Sequence, residues 1–187
     1  MLQFDRIGTP LSRRVRHRVS QTLAYCLAAN SAIQLPPRLA SLANDAIEPH
    51  FLALDPADRA HLVAVATWLD ERGGSAELVT ADPLHDIGKA LPVISVRVGD
   101  RVALVLLRRL WPSAVASLSR RTSPPLVGPG PWVIARHANV GATMLACAGY
   151  GQRVQWLVAN HERTDLDDTV LQALAAADGD GATVPTR

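Results

Sequence analysis

Lysine is almost missing: of the nineteen Lys and Arg residues in this 187-residue chain, only Lys89 is not arginine. In an alanine-rich sequence so one-sided a choice reads as a compositional bias of the genome, and it singles out Lys89 as the exception. Cysteine is scarce as well. Cys26 and Cys147 stand far apart with no C-x-x-C spacing, which excludes a disulfide scaffold and a thiolate zinc site and points to a reducing, cytoplasmic setting. Aromatic residues make up 4%, too few for the repeated stacking platforms that hold single-stranded nucleic acid. Runs of about 18 uncharged apolar residues are absent, so no integral membrane span is expected; Val102 to Leu107 comes nearest and is cut off by Arg108 and Arg109. The cluster Arg13, Arg14, Arg16 and Arg18 before Thr22 to Ala29 imitates a secretory signal, but Gln21, Asn30 and Ser31 spoil the imitation.

What is present is apolar bulk, 48% of the chain, enough for the core of one domain. Residues 1–40 carry a net charge of +5 and close on Pro36-Pro37, so residues 1–54 are read as a basic helical arm, 55–180 as the domain and 181–187 as a disordered tail. A second basic zone, 97–136, sets seven arginines against Asp100. Such arginines are usually a solvated face; their functional alternatives are steering of anionic substrates or peripheral contact with nucleic acid or an anionic membrane surface between Arg97 and Arg121.

The hydrophobic period is mostly 3 to 4, with one short β-like stretch from Val93 to Val98, so the fold class is all-α. A helix starts at Asp55-Pro56-Ala57-Asp58 and stops at Gly73-Gly74; a second starts near Ser75 and runs toward His85. Ser123 to Pro131 reads as a loop. A third helix covers about Asn139 to Ala148, a fourth Gln152 to His161, and a fifth runs from the acidic cap at Asp165, Asp167 and Asp168 to Asp178.

Polar residues fall in phase with these apolar faces. Asp178 follows Leu171, Leu174 and Ala175, and His161 follows Val154, Leu157 and Val158, at helical spacing. A carboxylate aimed at a core has to be paired, neutralised or bound to metal. His61 flanks the Leu62/Val65 stripe. Each histidine alone is most simply a hydrogen-bonded core residue; together, four histidines and two aspartates without thiolate suit Mn, Fe, Co, Ni or Zn, and one bridging carboxylate can hold two ions. The adjacent His85 and Asp86 can share an ion from a helix end, which Gly88 supplies, and Lys89 suits a phosphate oxygen.

The string Leu84-His85-Asp86-Ile87-Gly88-Lys89-Ala90 resembles the signature of the HD superfamily of metal-dependent phosphohydrolases. Arg136-His137-Ala138-Asn139-Val140-Gly141-Ala142 and Asn160-His161-Glu162 resemble two further segments of that family, and the likeness covers about residues 55–180. It implies an HD-like helical bundle in which His61, His85, Asp86 and Asp178 bind one divalent metal. Asp86 would bridge to a second ion held by His137 and His161, and a metal-activated water would attack phosphorus while Lys89 steadies phosphate oxygens. Asp86 and Lys89 are then the catalytic residues, two divalent ions the cofactors, and a phosphomonoester, phosphodiester or nucleotide the partner, a dinucleoside polyphosphate being one version. For the first position of that pattern His50 rivals His61, although Pro49 and Phe51 beside it look less helical. Two departures stand out. Pro83 should kink the helix before His85 by removing its bond to Val79, and Glu162-Arg163-Thr164-Asp165 replaces the Gly-Tyr-Pro extension of the cyclic di-GMP phosphodiesterases. The alternatives are a di-iron oxygenase on the same scaffold and a degenerate HD module that senses a nucleotide or binds a partner.

Overall fold

The computed structural model describes residues 44–91, 94, 96–126, 128–163 and 165–180, and among them every regular element is helical, as expected of an all-α chain. The basic arm up to residue 43 and the tail at 181–187 lie outside the described residues. So do Pro92, Val93 and Ser95 of the β-like stretch, whose last residue, Val98, opens a helix.

The first helix, α1 (Glu48–Ala53), is followed by α2 (Pro56–Glu71). Proline fits the first turn of α2 because its missing N–H has no intrahelical acceptor there. At the other end Gly73, at φ +70°, turns the chain, and the Gly73 and Gly74 N–H groups donate to Asp70 and Leu69 carbonyls at 3.1 and 3.0 Å. Ser75 then caps α3 (Ala76–Ala81), its hydroxyl accepting from the Leu78 N–H at 3.3 Å.

The structure corrects the expected length of this helix. It does not reach His85: Pro83 has no N–H for the Val79 carbonyl and its ring crowds that turn, so the chain tightens into a 3-10 turn, Asp82–Leu84, instead of kinking. A second 3-10 turn, Ile87–Lys89, follows. His85 and Asp86 therefore sit between two short turns, where neighbours can aim at one point.

The arginine-rich zone forms two helices the sequence did not reveal, α4 (Val98–Leu110) and α5 (Pro112–Arg120). The next helix is also longer than expected. Instead of starting at Asn139, α6 spans Pro129–Cys147, entered from Gly128 at φ +66°. Pro129 and Pro131 read as loop punctuation, yet both fall in the first turn, where no N–H is needed, and buried Trp132, Val133 and Ile134 hold that turn down. The last two helices match expectation closely: α7 (Gln152–Asn160) and α8 (Thr169–Asp180). Asp168 accepts from the Leu171 N–H at 2.9 Å at the start of α8 and is itself held by Arg153 at 2.8 Å.

Leu62, Val65 and Leu69 of α2 meet Leu145 of α6, Leu157 and Val158 of α7, and Leu171 and Leu174 of α8 in one core. Ile47, Phe51 and Leu54 belong to it too. The sequence places these three in the arm, but their i, i+4, i+7 spacing gives a single apolar face, and burying side chains of this size contributes about 1.5–3 kcal/mol each.

Candidate metal centre

Among the described residues the polar exceptions to this core are Asp58, Asp82, His85, Asp86, His137 and His161, all buried, and His85, Asp86, His137 and His161 form a cluster with His61 and Asp178 at its edge. They come from α2, the turns around His85, α6, the end of α7, and α8, and their tips converge. His61 Nε2 lies 2.7 Å from Asp178 Oδ1, and His85 Nε2 lies 3.7 Å from both Asp178 Oδ1 and Asp86 Oδ2. On the far side of Asp86, Oδ1 is 3.1 Å from His137 Nε2 and 4.0 Å from His161 Nε2. Among the described residues two groups have the spacing to hold an ion, one of His61, His85 and Asp178, the other of His85, Asp86 and His161. His50, in α1, is in neither group, so His61 is the histidine brought to this centre.

Hydrogen bonds on the outer ring nitrogens set what the inner ones can do. Nδ1 of His85, His137 and His161 lies 2.6, 2.6 and 2.7 Å from the backbone oxygens of Asp82, Ile134 and Val158. A carbonyl can only accept, so each Nδ1 carries the proton and, in a neutral ring, each Nε2 presents a bare lone pair inward. Such backbone contacts fix the tautomer and orientation of each ring, as they do where imidazoles bind metals. They leave His137 Nε2 and His161 Nε2 facing each other at 3.0 Å. Two bare lone pairs at that distance repel; a positive charge placed between them removes the conflict. Burial and the neighbouring His85 and His137 push His161 down to about 4, so near neutrality His161 does not supply that charge.

The two carboxylates beside Lys89 and His85 differ in charge. Burial opposes the charge on Asp86, but Lys89, His85 and His137 overcome it and hold the carboxyl well below its usual range. Lys89, the single lysine, bonds to Asp86 Oδ2 and has Asp58 Oδ1 at 3.8 Å; burial works against its cation, and these two carboxylates more than restore it. Asp82, fully buried behind His85, has no hydrogen-bond partner on either carboxylate oxygen. Burial first, then Asp178 and Asp86, drive it well above the usual range, toward its neutral form.

His61 gives the centre a pH dependence. Burial lowers its pKa, but the hydrogen bond and charge of Asp178, helped by Asp86, win and raise it above 6.5, while Asp178 is held below its usual value despite burial, chiefly by His61 and His85. In the metal-free fold the raised His61 contributes stability that is full below pH 6.5 and fades as pH rises through its folded pKa. The lowered Asp178 contributes stability present above about pH 3.8 and lost as pH falls through its folded pKa. A cation bound by His61 would have to displace that proton. Metal affinity should therefore climb by up to about tenfold per pH unit until His61 deprotonates and then level off. Calorimetric titration with Mn or Co in buffers of different ionisation enthalpy measures both the slope and the proton released; affinity flat from pH 6 upward would contradict it.

Three residues of the site escaped the sequence reading. Asp58, taken as part of a helix cap, is buried and bridges Lys89 and Arg101; its position three before His61 on α2 was the available signal, because i and i+3 share a face. Asp82 stands in the same relation to His85. Arg101 comes from α4, which brings no local signal at all. Beside Lys89 and Asp58 opens a cleft of about 340 Å³ walled by Leu54, Leu91, Ile94 and Val96. No protein-family model, curated protein or solved structure matches this chain, so the geometry of the centre carries its functional reading.

Proposed function

We propose that the chain is a metal-dependent phosphohydrolase with a two-cation centre of the HD type. The observation that carries this reading is the convergence of inward-facing Nε2 lone pairs, two of them 3.0 Å apart, on carboxylates from two separate segments. The donors are imidazole and carboxylate, a set suited to Mn, Fe, Co, Ni or Zn. His61, His85, Asp86 and Asp178 would hold one cation, and His137 and His161 a second that shares Asp86. Bound there, the cations would supply Lewis acidity toward phosphate oxygens and acidify a water.

The protein's own groups do the positioning. The backbone carbonyls behind His85, His137 and His161 fix their ring orientations, so little reorganisation is needed on loading. Lys89, charged and held by Asp86 and Asp58, lines the cleft, and its ammonium suits a non-bridging or leaving phosphate oxygen. Arg101 pairs with Asp58, which leaves Asp58 a 3.8 Å neighbour of Lys89 while Asp86 is its direct hydrogen-bond partner.

The purified full chain should contain close to two divalent ions and hydrolyse p-nitrophenyl phosphate or bis(p-nitrophenyl) phosphate with added Mn or Co; a nucleotide panel then defines the substrate. Protein that is folded, takes up no metal and turns over none of these overturns the proposal. Metal-loaded protein that consumes oxygen with iron and leaves phosphoesters intact would replace it with the oxygenase reading.

A further inference from the structure

A wide apolar face is left uncovered on α4. Val102 is 50% exposed, Val105 45%, Leu106 52% and Leu110 76%, and Trp111, joining α4 to α5, is 66% exposed. At about 100° per residue the four α4 positions fall within an arc of about 140°. On the other side of the helix, Leu104 is buried, Arg101 reaches Asp58, and Arg108 reaches Glu162 at 3.3 Å. The helix is thus held to the bundle by one face, and its other face presents leucine, valine and tryptophan to solvent. Isolated exposed apolar residues need no explanation; a contiguous set of this size, with a tryptophan at its end, does.

Charge identifies the occupant. Between Asp100 and Glu162 the sequence has no acidic residue, and Asp100 itself is engaged by the Arg97 N–H at 2.8 Å. Arg109, also exposed, falls within the same arc between Val105 and Val102, and Arg120 and Arg121 at the far end of α5 are exposed. A second copy seated here would bring arginine against arginine, and the basic segment 1–40 has the same sign. Duplex nucleic acid would satisfy the arginines but set phosphates against Leu110 and Trp111. An anionic bilayer satisfies both, lipid headgroups taking the arginines and acyl chains taking the apolar side chains. Spanning is not available: no single helix among the described residues is long and apolar enough to cross a membrane, and α4 and α5, which pass that test only together, turn on each other by 120°. Thirteen residues of α4 extend about 20 Å, short of a hydrocarbon core of about 30 Å.

We infer that the α4–Trp111–α5 elbow docks the protein on an anionic lipid surface, lying in the interface with Leu106, Leu110 and Trp111 immersed and Arg109, Arg120 and Arg121 at headgroup level. This does not depend on the metal centre, which lies on the opposite side of α4.

The test is sedimentation of the full chain with vesicles of phosphatidylcholine alone or mixed with phosphatidylglycerol, at low and high salt. Binding should favour the acidic vesicles and fall with salt. Both Leu106→Glu/Leu110→Glu and Arg109→Glu/Arg120→Glu, with wild-type thermal midpoints because all four positions are exposed, should weaken it by at least about tenfold. Acyl-brominated lipid should quench tryptophan emission in the wild type and not in Trp111→Phe. Absence of binding to acidic vesicles at low salt, unchanged binding in the leucine variant, or quenching that survives Trp111→Phe would overturn the inference. So would a lipid-free dimer that the leucine variant dissociates, which assigns the face to a second copy, or duplex DNA binding that needs the arginines and not the leucines.

Discussion

Asp86→Asn should leave a folded protein that has lost its metal and its turnover together. Asparagine keeps the shape of the side chain and removes its charge, and the charge is what the surroundings are built to use. One carboxylate oxygen faces His137 and His161 at 3.1 and 4.0 Å, the other faces His85 at 3.7 Å and bonds to Lys89. His85 also belongs to both groups, but Asp86 is the carboxylate with histidines on both of its oxygens, so the substitution would take a ligand from each of the two proposed cations at once. Removing a mere supporting partner of a metal ligand costs about 10–100-fold in affinity; loss of the shared ligand should exceed the upper figure. Folding is affected in two opposing ways. Breaking a buried ion pair costs roughly 3–5 kcal/mol when the remaining charge has no partner, but Lys89 keeps Asp58 at 3.8 Å, so the loss should be well below that range. Metal content by elemental analysis, phosphoester turnover and a urea melt separate these effects. Asp178→Asn, at the edge of the centre, is the companion variant should Asp86→Asn fail to fold: it should deplete the cation shared with His61 and His85. A folded Asp86→Asn protein with full metal content and wild-type turnover would end the two-cation account.

Much of this centre was legible because burial phase is a local property. His161 follows Val154, Leu157 and Val158, and Asp178 follows Leu171 and Leu174, on helices whose caps and apolar stripes are unambiguous, and both side chains do reach the cluster. The ends of α2 were equally plain, since proline at its start and Gly73-Gly74 at its end act through one residue's own geometry. What could not be read locally falls into two kinds. Proline has opposite meanings inside a helix and in its first turn, and which applies depends on what the turn packs against: Pro129 and Pro131 begin α6 because Trp132 and Val133 are buried, whereas Pro83 ends α3. The other kind is long-range pairing. Asp58 meets Arg101 across 43 positions of sequence, and nothing in either neighbourhood announces the other.

Gly88→Ala should be nearly as damaging as loss of a ligand, although Gly88 binds nothing. Its φ is not in the left-handed region, so conformational freedom is not the reason for glycine here; space is. A Cβ built on Gly88 would lie 2.0 Å from the His137 carbonyl oxygen, 2.8 Å from its carbonyl carbon and 2.6 Å from the Gly141 nitrogen. All three are backbone atoms of one turn of α6, and backbone cannot swing aside as a side-chain tip does. The close approach is mutual, since a Cβ on Gly141 would meet Gly88 N at 3.2 Å. One methyl group must therefore push the Ile87–Lys89 turn away from α6. Overpacking of this kind costs roughly 3 kcal/mol or more when the obstacle is rigid. The displaced turn carries Asp86 and Lys89 at its two ends, while the turn of α6 it leaves carries His137, so the 3.1 Å approach of Asp86 to His137 is lost with it. A urea midpoint well below wild type, together with loss of one cation's worth of metal even under conditions where the variant is folded, is the expected outcome. Gly73→Ala, whose Cβ would meet nothing within 4 Å, is the control for a generic glycine effect: it strains the cap of α2 at φ +70° but should keep both cations. Should Gly88→Ala melt with the wild type and load metal fully, the contact between these two turns would not be what assembles the centre.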